Sequence, residues 1–115
     1  MKLKDNIPCP EKLRATKDAV DVINGKWRIP IIISLSYGKK RFGEIQRDVA
    51  TISPKMLSKE LRELELNKLV TRTVYDSKPV YVEYALTPLG KSLDKLLQEL
   101  LSWGGKFRKE IISKN

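Results

Sequence analysis

A mainly α-helical chain with one small β-hairpin is the fold class that three features of the sequence predict. Apolar residues recur at helical spacing through most of the 115 residues. Two short runs rich in β-branched and aromatic residues, LVTRTVY and VYVEYALT, break that spacing late in the chain. Ser53-Pro54 and Thr87-Pro88 each place a capping hydroxyl before a proline suited to a first helical turn, which marks two helix starts.

The length suits one compact domain spanning residues 1–115. At 41% hydrophobic and 32% charged, the composition is that of a globular chain. A formal net charge of +9 favours a polyanionic partner such as nucleic acid or an anionic membrane face. There is one cysteine and no histidine. That excludes an intramolecular disulfide, a Cys/His zinc site and any nucleophile that relies on a histidine base. No grouping of nucleophile, base and orienting partner emerges, so no catalysis, cofactor or metal is expected. The start, MKLKDNIPCPEK, has no apolar run of signal-peptide type, and the longest apolar stretch, IPIIISL, is far too short to span a bilayer. With a lone cysteine, these features lead us to expect a soluble cytoplasmic protein.

Element by element, residues 1–8 are polar and expected to be loosely ordered. A first helix begins near Cys9-Pro10, where Pro10 suits the first helical position, and Gly25 suits the residue just past its end. Leu13, Ala19, Val20 and Ile23 give it a rough apolar face. GKWRIPIIISLSYG predicts a second, strongly buried helix over residues 27–36, stopped by Gly38, with Pro30 tolerated only in the first turn. Its isoleucine run also suits a buried strand; the helix is the reading adopted. In KKRFGEIQRDVA, Phe42, Ile45 and Val49 share one helical face. A short break, TIS, leads to a fourth helix capped by Ser53 and reaching Asn67. Leu57, Leu61 and Leu64 form its apolar stripe, and Lys55, Ser58, Lys59 and Arg62 lie opposite.

The period then changes. Val80, Val82, Tyr84 and Leu86 alternate with Tyr81, Glu83 and Ala85, the pattern of a half-buried strand, and DSKP supplies the hairpin turn. From Thr87-Pro88 onward one long helix is expected. Leu89, Leu93, Leu96, Leu100, Trp103 and Phe107 advance along it by fours and threes, and Leu97 and Leu101 widen the stripe. Gly104-Gly105 should weaken or bend it, at about 1 kcal/mol per glycine relative to alanine.

A helix, a tight turn, a second helix and a hairpin make the winged helix-turn-helix arrangement, whose second helix enters the DNA major groove. Pro54, Lys55, Ser58, Lys59 and Arg62 are therefore the expected recognition-helix residues. Pro54 and Met56 offer apolar contact to thymine methyls, although Met56 equally suits the interior. Lys39, Lys40 and Arg41, before the first helix of the unit, and Arg72 and Lys78, in the wing, are the expected phosphate contacts. Such contacts give affinity without sequence information. Tyr75 and Tyr81 are assigned to sheet packing, and Trp27 to the core. The last helix carries a stripe longer and wider than packing on a small domain needs. Leu89, Leu93, Leu96, Leu100, Trp103 and Phe107 are accordingly assigned to a dimer seam.

These blocks support a family resemblance covering residues 8–107. The chain resembles the HxlR-type bacterial transcriptional regulators, which are MarR-like winged-helix proteins. The resemblance rests on VDVINGKW (residues 20–27), RFGEI (41–45), ISPKMLSKELRELE (52–65), LVTRTVY (69–75), VEYALTPLGKSL (82–93) and Trp103-Gly104, in this order and spacing. It implies a homodimer, joined through the N- and C-terminal helices, that binds pseudo-palindromic operators in double-stranded DNA and represses or activates nearby genes. It also implies a role for Cys9, because several members sense oxidants or electrophiles through a cysteine ahead of the first helix. Cys9 has Lys12 nearby and sits at a helix start, where the helix dipole favours an anionic thiolate. It stands several residues farther upstream of GKW than those members' cysteine.

Two function classes follow from the residues. One is a dimeric, sequence-specific DNA-binding regulator with Cys9 as a redox switch. The alternative is a winged-helix module for protein contact or for nonspecific nucleic-acid binding, which would need no basic outer face on its fourth helix. The residues specify no small-molecule effector.

Overall fold

The computed structural model describes residues 6–112. The polar lead expected over residues 1–8 lies outside the described residues as far as position 5. The elements run α1 (Cys9–Ile23), α2 (Arg28–Ser36), α3 (Phe42–Val49), α4 (Pro54–Leu66), β1 (Val70–Tyr75), β2 (Tyr81–Leu86), α5 (Pro88–Lys91) and α6 (Asp94–Ile112). The expected mainly helical chain with one hairpin is what the structure shows.

The core forms where α2, α3, α4 and the base of the hairpin meet. Ile31, Ile32, Leu35, Ile45, Leu57, Leu61, Leu64, Leu69 and Val70 are all at most 3% exposed. Each such side chain contributes about 1.5–3 kcal/mol relative to an exposed one. The isoleucine run of α2 is helical. Ile31, Ile32 and Leu35 face inward while Ile33 is exposed, and this tertiary packing overrides the β preference of branched side chains.

The turn between α3 and α4 carries two consecutive non-glycine residues at positive φ, Ala50 at 52° and Thr51 at 58°. Buried Ile52 and the hydrogen bond from Ile52 N–H to the Ala50 carbonyl, at 2.7 Å, hold them there. Ser53 then caps α4, its hydroxyl accepting from Met56 N–H at 3.1 Å. The helix ends in a Schellman motif. Lys68, at φ 63°, donates to the Glu65 carbonyl, and Leu69 donates to the Leu64 carbonyl at 3.0 Å.

β1 and β2 pair antiparallel from Val70↔Leu86 to Tyr75↔Tyr81. The expected alternation along β2 is not seen: residues 81–85 are all half-buried, and Val80 lies outside the strand, 58% exposed. The outer edge of β2 is covered by a neighbour that the sequence pattern does not reveal. Lys40 makes a two-way backbone bridge with Tyr84, at 2.9 and 2.8 Å, and so lays the α2–α3 linker along the wing.

The long last helix expected from Thr87 onward is two helices. Thr87 caps α5, its hydroxyl accepting from Gly90 N–H at 3.0 Å and donating to the Lys68 carbonyl at 2.7 Å. The chain turns at Ser92 and Leu93 before α6 starts. α6 runs through Gly104 and Gly105 as one continuous helix. Neither α1 nor α6 has a buried residue. The Cα radius of gyration is 17.0 Å, against about 13 Å for a compact chain of this length. Val22 and Ile23 of α1 and Leu97 of α6 pack against the core, while the outer lengths of both helices project from it.

Candidate nucleic-acid interface

α4 is the centre of the basic surface. Leu57, Leu61 and Leu64 are buried, which turns Pro54, Lys55, Ser58, Lys59 and Arg62 outward, and all five are exposed. Among the described residues, no carboxylate forms an ion pair with Lys55, Lys59 or Arg62. Met56 takes the interior option and packs against the core. The helix dipole adds positive potential to that end of the helix.

The helix is fixed from behind by a nearly buried ion pair. Arg28 Nε donates to Glu60 Oε2 at 2.9 Å, and Arg28 Nη1 donates to the carbonyls of Asp21 and Val22 at 3.1 and 3.2 Å. One guanidinium thus joins the end of α1, the start of α2 and the inner flank of α4.

The three cations before α3 are not equivalent. Lys39 is exposed and lies 3.6 Å from Glu83 of β2. The Lys40 ammonium is bound to Asp48, which also accepts from buried Ser34 Oγ at 2.8 Å. These two donors hold the Asp48 carboxyl below its usual range, the Lys40 hydrogen bond first. With its charge matched inside the fold, Lys40 ties α2, α3 and the wing together rather than presenting a free cation. Arg41 is exposed at the start of α3, its guanidinium 4.0 Å from the Tyr81 ring centroid.

In the wing, Lys78 is exposed at the hairpin tip. Arg72 is exposed opposite Tyr84, on the strand face that Val70 and Leu86 share at the hairpin base. Tyr75, Tyr81 and Glu83 occupy the other face. The structure therefore brings Arg41 and Lys39 to one face of the wing and leaves Arg72 on the opposite one.

The residues expected at a dimer seam divide into two groups. Leu96, Leu100, Trp103 and Phe107 follow one face of α6 and are exposed; Trp103 is 64% exposed and stacks on Phe107 at 5.3 Å. Leu89 is exposed on α5. Leu93 is a correction to the expected stripe: it is half-buried and packs with Leu97 against the core of its own chain. The turn at Ser92 and Leu93 separates the two helices, so the stripe does not continue in register across it. Trp27 packs against the core as expected. Cys9 is the first residue of α1 and its thiol is exposed.

Three features escaped sequence reasoning: the Arg28–Glu60 pair, the Ser34–Asp48–Lys40 cluster and the Tyr81 platform. All join residues far apart in the chain, which no local period reports. Among the described residues, no helix is long and apolar enough to cross a membrane, and no cluster of potential metal ligands is present.

This geometry has counterparts of known class. The HTH-type transcriptional regulator YkvN of Bacillus subtilis (strain 168) is 44% identical over 90 residues, covering 78% of this chain and 76% of that protein. The redox regulator HypR, in its reduced form, is 37% identical with a TM-score of 0.80, covering 86% of this chain and 98% of that one. A transcriptional regulator of the MarR family from Enterococcus faecalis V583 is 35% identical with a TM-score of 0.82, covering 95% and 99%. The model of the HxlR-like helix-turn-helix family matches residues 22–112, from the end of α1 through α6, and the chain belongs to that family.

Proposed function

We propose that this chain is a sequence-specific DNA-binding transcriptional regulator of the cytoplasm. It works as a homodimer on a pseudo-palindromic operator. The observation that carries the reading is α4: a buried leucine stripe with an exposed basic face whose Lys55, Lys59 and Arg62 form no ion pair among the described residues, starting at a capped N-terminus. Pro54, Lys55, Ser58, Lys59 and Arg62 meet the major groove, while Lys39, Arg41, Arg72 and Lys78 meet phosphates. Lys40 serves mainly to hold the wing. HTH-type regulators among the relatives support the same assignment.

The dimer part of the reading is supported by the unburied terminal helices. Leu13 and Val20 of α1 are exposed, as are Leu96, Leu100, Trp103 and Phe107 of α6. Apolar surface of this extent calls for a partner, and a second copy would bring two α4 helices about 34 Å apart, one turn of DNA.

Cys9 is the proposed switch. Its exposed thiol stands on α1, whose far end is tied to α4 through Arg28. HypR, described as a redox regulator, supports this by likeness. Diamide takes two electrons and two protons from two Cys9 thiols, leaving a disulfide between protomers and the hydrazine form of diamide.

Binding curves at several salt concentrations test the reading, on DNA upstream of the chain's own gene and its divergent neighbour, with scrambled DNA as control. Tight binding that is lost on scrambling, and lost on diamide treatment except in Cys9→Ser, is expected. Equal affinity for scrambled DNA would favour the protein-contact or nonspecific module instead. Binding unaffected by diamide would remove Cys9 from the mechanism.

A further inference from the structure

Tyr75 and Tyr81 are the last paired positions of the hairpin, and their rings stack at 4.7 Å with an interplanar angle of 15°. Arg41 lies over the Tyr81 ring, its guanidinium 4.0 Å from the centroid. The three groups form a column from the outer end of the wing to the start of α3. Its base is fixed on both sides. Arg41 N–H donates to Glu44 Oε1 at 2.9 Å, and the Arg41 carbonyl accepts from Glu44 and Ile45 N–H. One residue earlier, Lys40 is bridged to Tyr84 in the strand that carries Tyr81.

At 4.0 Å the guanidinium carbon is within stacking distance of the ring, and a guanidinium that lies flat on an aromatic ring keeps its edge N–H donors directed outward in its own plane. Among the described residues no carboxylate pairs with Arg41, so those donors are not spent within the fold. A planar, preoriented fork suits the two oxygens of a phosphate. The Lys78 ammonium, just beyond Tyr75 and Tyr81 in the hairpin, stands at the same end of the molecule.

We propose that Tyr81, backed by Tyr75, is a positioning residue for DNA binding, its ring holding the Arg41 guanidinium edge-outward for a phosphate beside the wing. This rests on the reading of the chain as a DNA-binding regulator and on Arg41 as one of its phosphate contacts.

A double-mutant cycle tests it, using Arg41→Ala, Tyr81→Leu, Tyr81→Phe and the Arg41→Ala/Tyr81→Leu pair. Each is measured on operator DNA across a salt series, with thermal melting to confirm folding. Arg41→Ala should reduce the steepness of the log–log salt dependence by about 0.9, one phosphate contact. Tyr81→Leu should weaken binding about two- to five-fold, the range of an exposed cation–π contact. It should have no further effect once Arg41 is alanine, and Tyr81→Phe should bind as the wild type. Should Tyr81→Leu fail to fold, Arg41→Lys carries the test. It keeps the charge and the salt slope, and it should lose about two- to five-fold in affinity because an ammonium offers no planar fork.

A Tyr81→Leu loss of equal size in both backgrounds, or wild-type affinity for Arg41→Lys, overturns the proposal. No effect of Arg41→Ala on affinity or slope also overturns it. The DNA-binding reading would survive that result if Lys55→Glu still lowers operator binding. Indifference of the wild type to scrambling would remove the sequence-specific reading, and the same cycle would still decide the Arg41–Tyr81 coupling.

Discussion

Arg28 and Glu60 form an ion pair at 2.9 Å between α2 and the inner flank of α4, with side chains only 18% and 14% exposed. Because the same guanidinium also takes two carbonyls at the end of α1, this one side chain ties α4 to both α1 and α2. Removing one partner leaves the other charge nearly buried and unpaired. Glu60→Ala is therefore expected to cost about 2–3 kcal/mol, below the cost for a fully buried pair because some solvent reaches this one. Urea unfolding checks it; an unchanged midpoint would mean the pair is dispensable.

Gly90 sits where α5 crosses the start of the hairpin. A Cβ built there would lie 2.2 Å from the Leu69 carbonyl oxygen, a backbone atom that cannot swing aside. Gly90→Ala should destabilise by about 2 kcal/mol or more, visible as a lowered melting temperature. Neutrality would show that α5 shifts freely against the wing.

Asp48 provides the pH dependence. Its carboxyl is held below the ordinary value of 3.8, first by the Lys40 hydrogen bond and then by that of Ser34. A depressed carboxyl contributes stability that is fully present above the unfolded value and is lost as pH falls through the folded one. The wild type should therefore exceed Asp48→Asn in stability near neutrality, and the gap should shrink below about pH 4. Parallel melting curves from pH 7 to 3 decide the matter; a gap that stays constant contradicts it.

Exposed Trp103 and its stacked neighbour Phe107 make the dimer reading testable without disturbing the core. Trp103→Glu should leave melting of the monomer unit intact and raise the dimer dissociation constant about thirty-fold or more, as for an interface hot spot. Sedimentation across a concentration series reads it directly. An undisturbed dimer would exclude that face of α6 from the interface.

Much of this fold was legible because its signals are local. Ser53-Pro54 marked the start of α4, and the leucine spacing fixed which face is buried and thus which side chains face out. The end of α4 near Asn67 was legible too, although the left-handed residue that closes it is Lys68 and not glycine. The split between α5 and α6 was invisible, since Ser92 and Leu93 fit a helical pattern and only the hydrogen bonds of Thr87 and the close approach at Gly90 set α5 apart. The roles of Lys40 and Arg41 diverge for the same reason. Adjacent in sequence and alike in charge, they are separated by partners, Asp48 and Tyr81, that lie 8 positions from Lys40 or across the wing.

The central claim is that the outward face of α4 reads DNA. Its most direct test is operator affinity of Lys55→Glu at physiological salt, beside its melting temperature. Lys55 is exposed, so the variant should melt within about 3 °C of the wild type. Its affinity should fall at least about tenfold, because a phosphate or base contact becomes a repulsion. A folded Lys55→Glu that binds the operator as tightly as the wild type would contradict the assignment of α4 as the recognition helix.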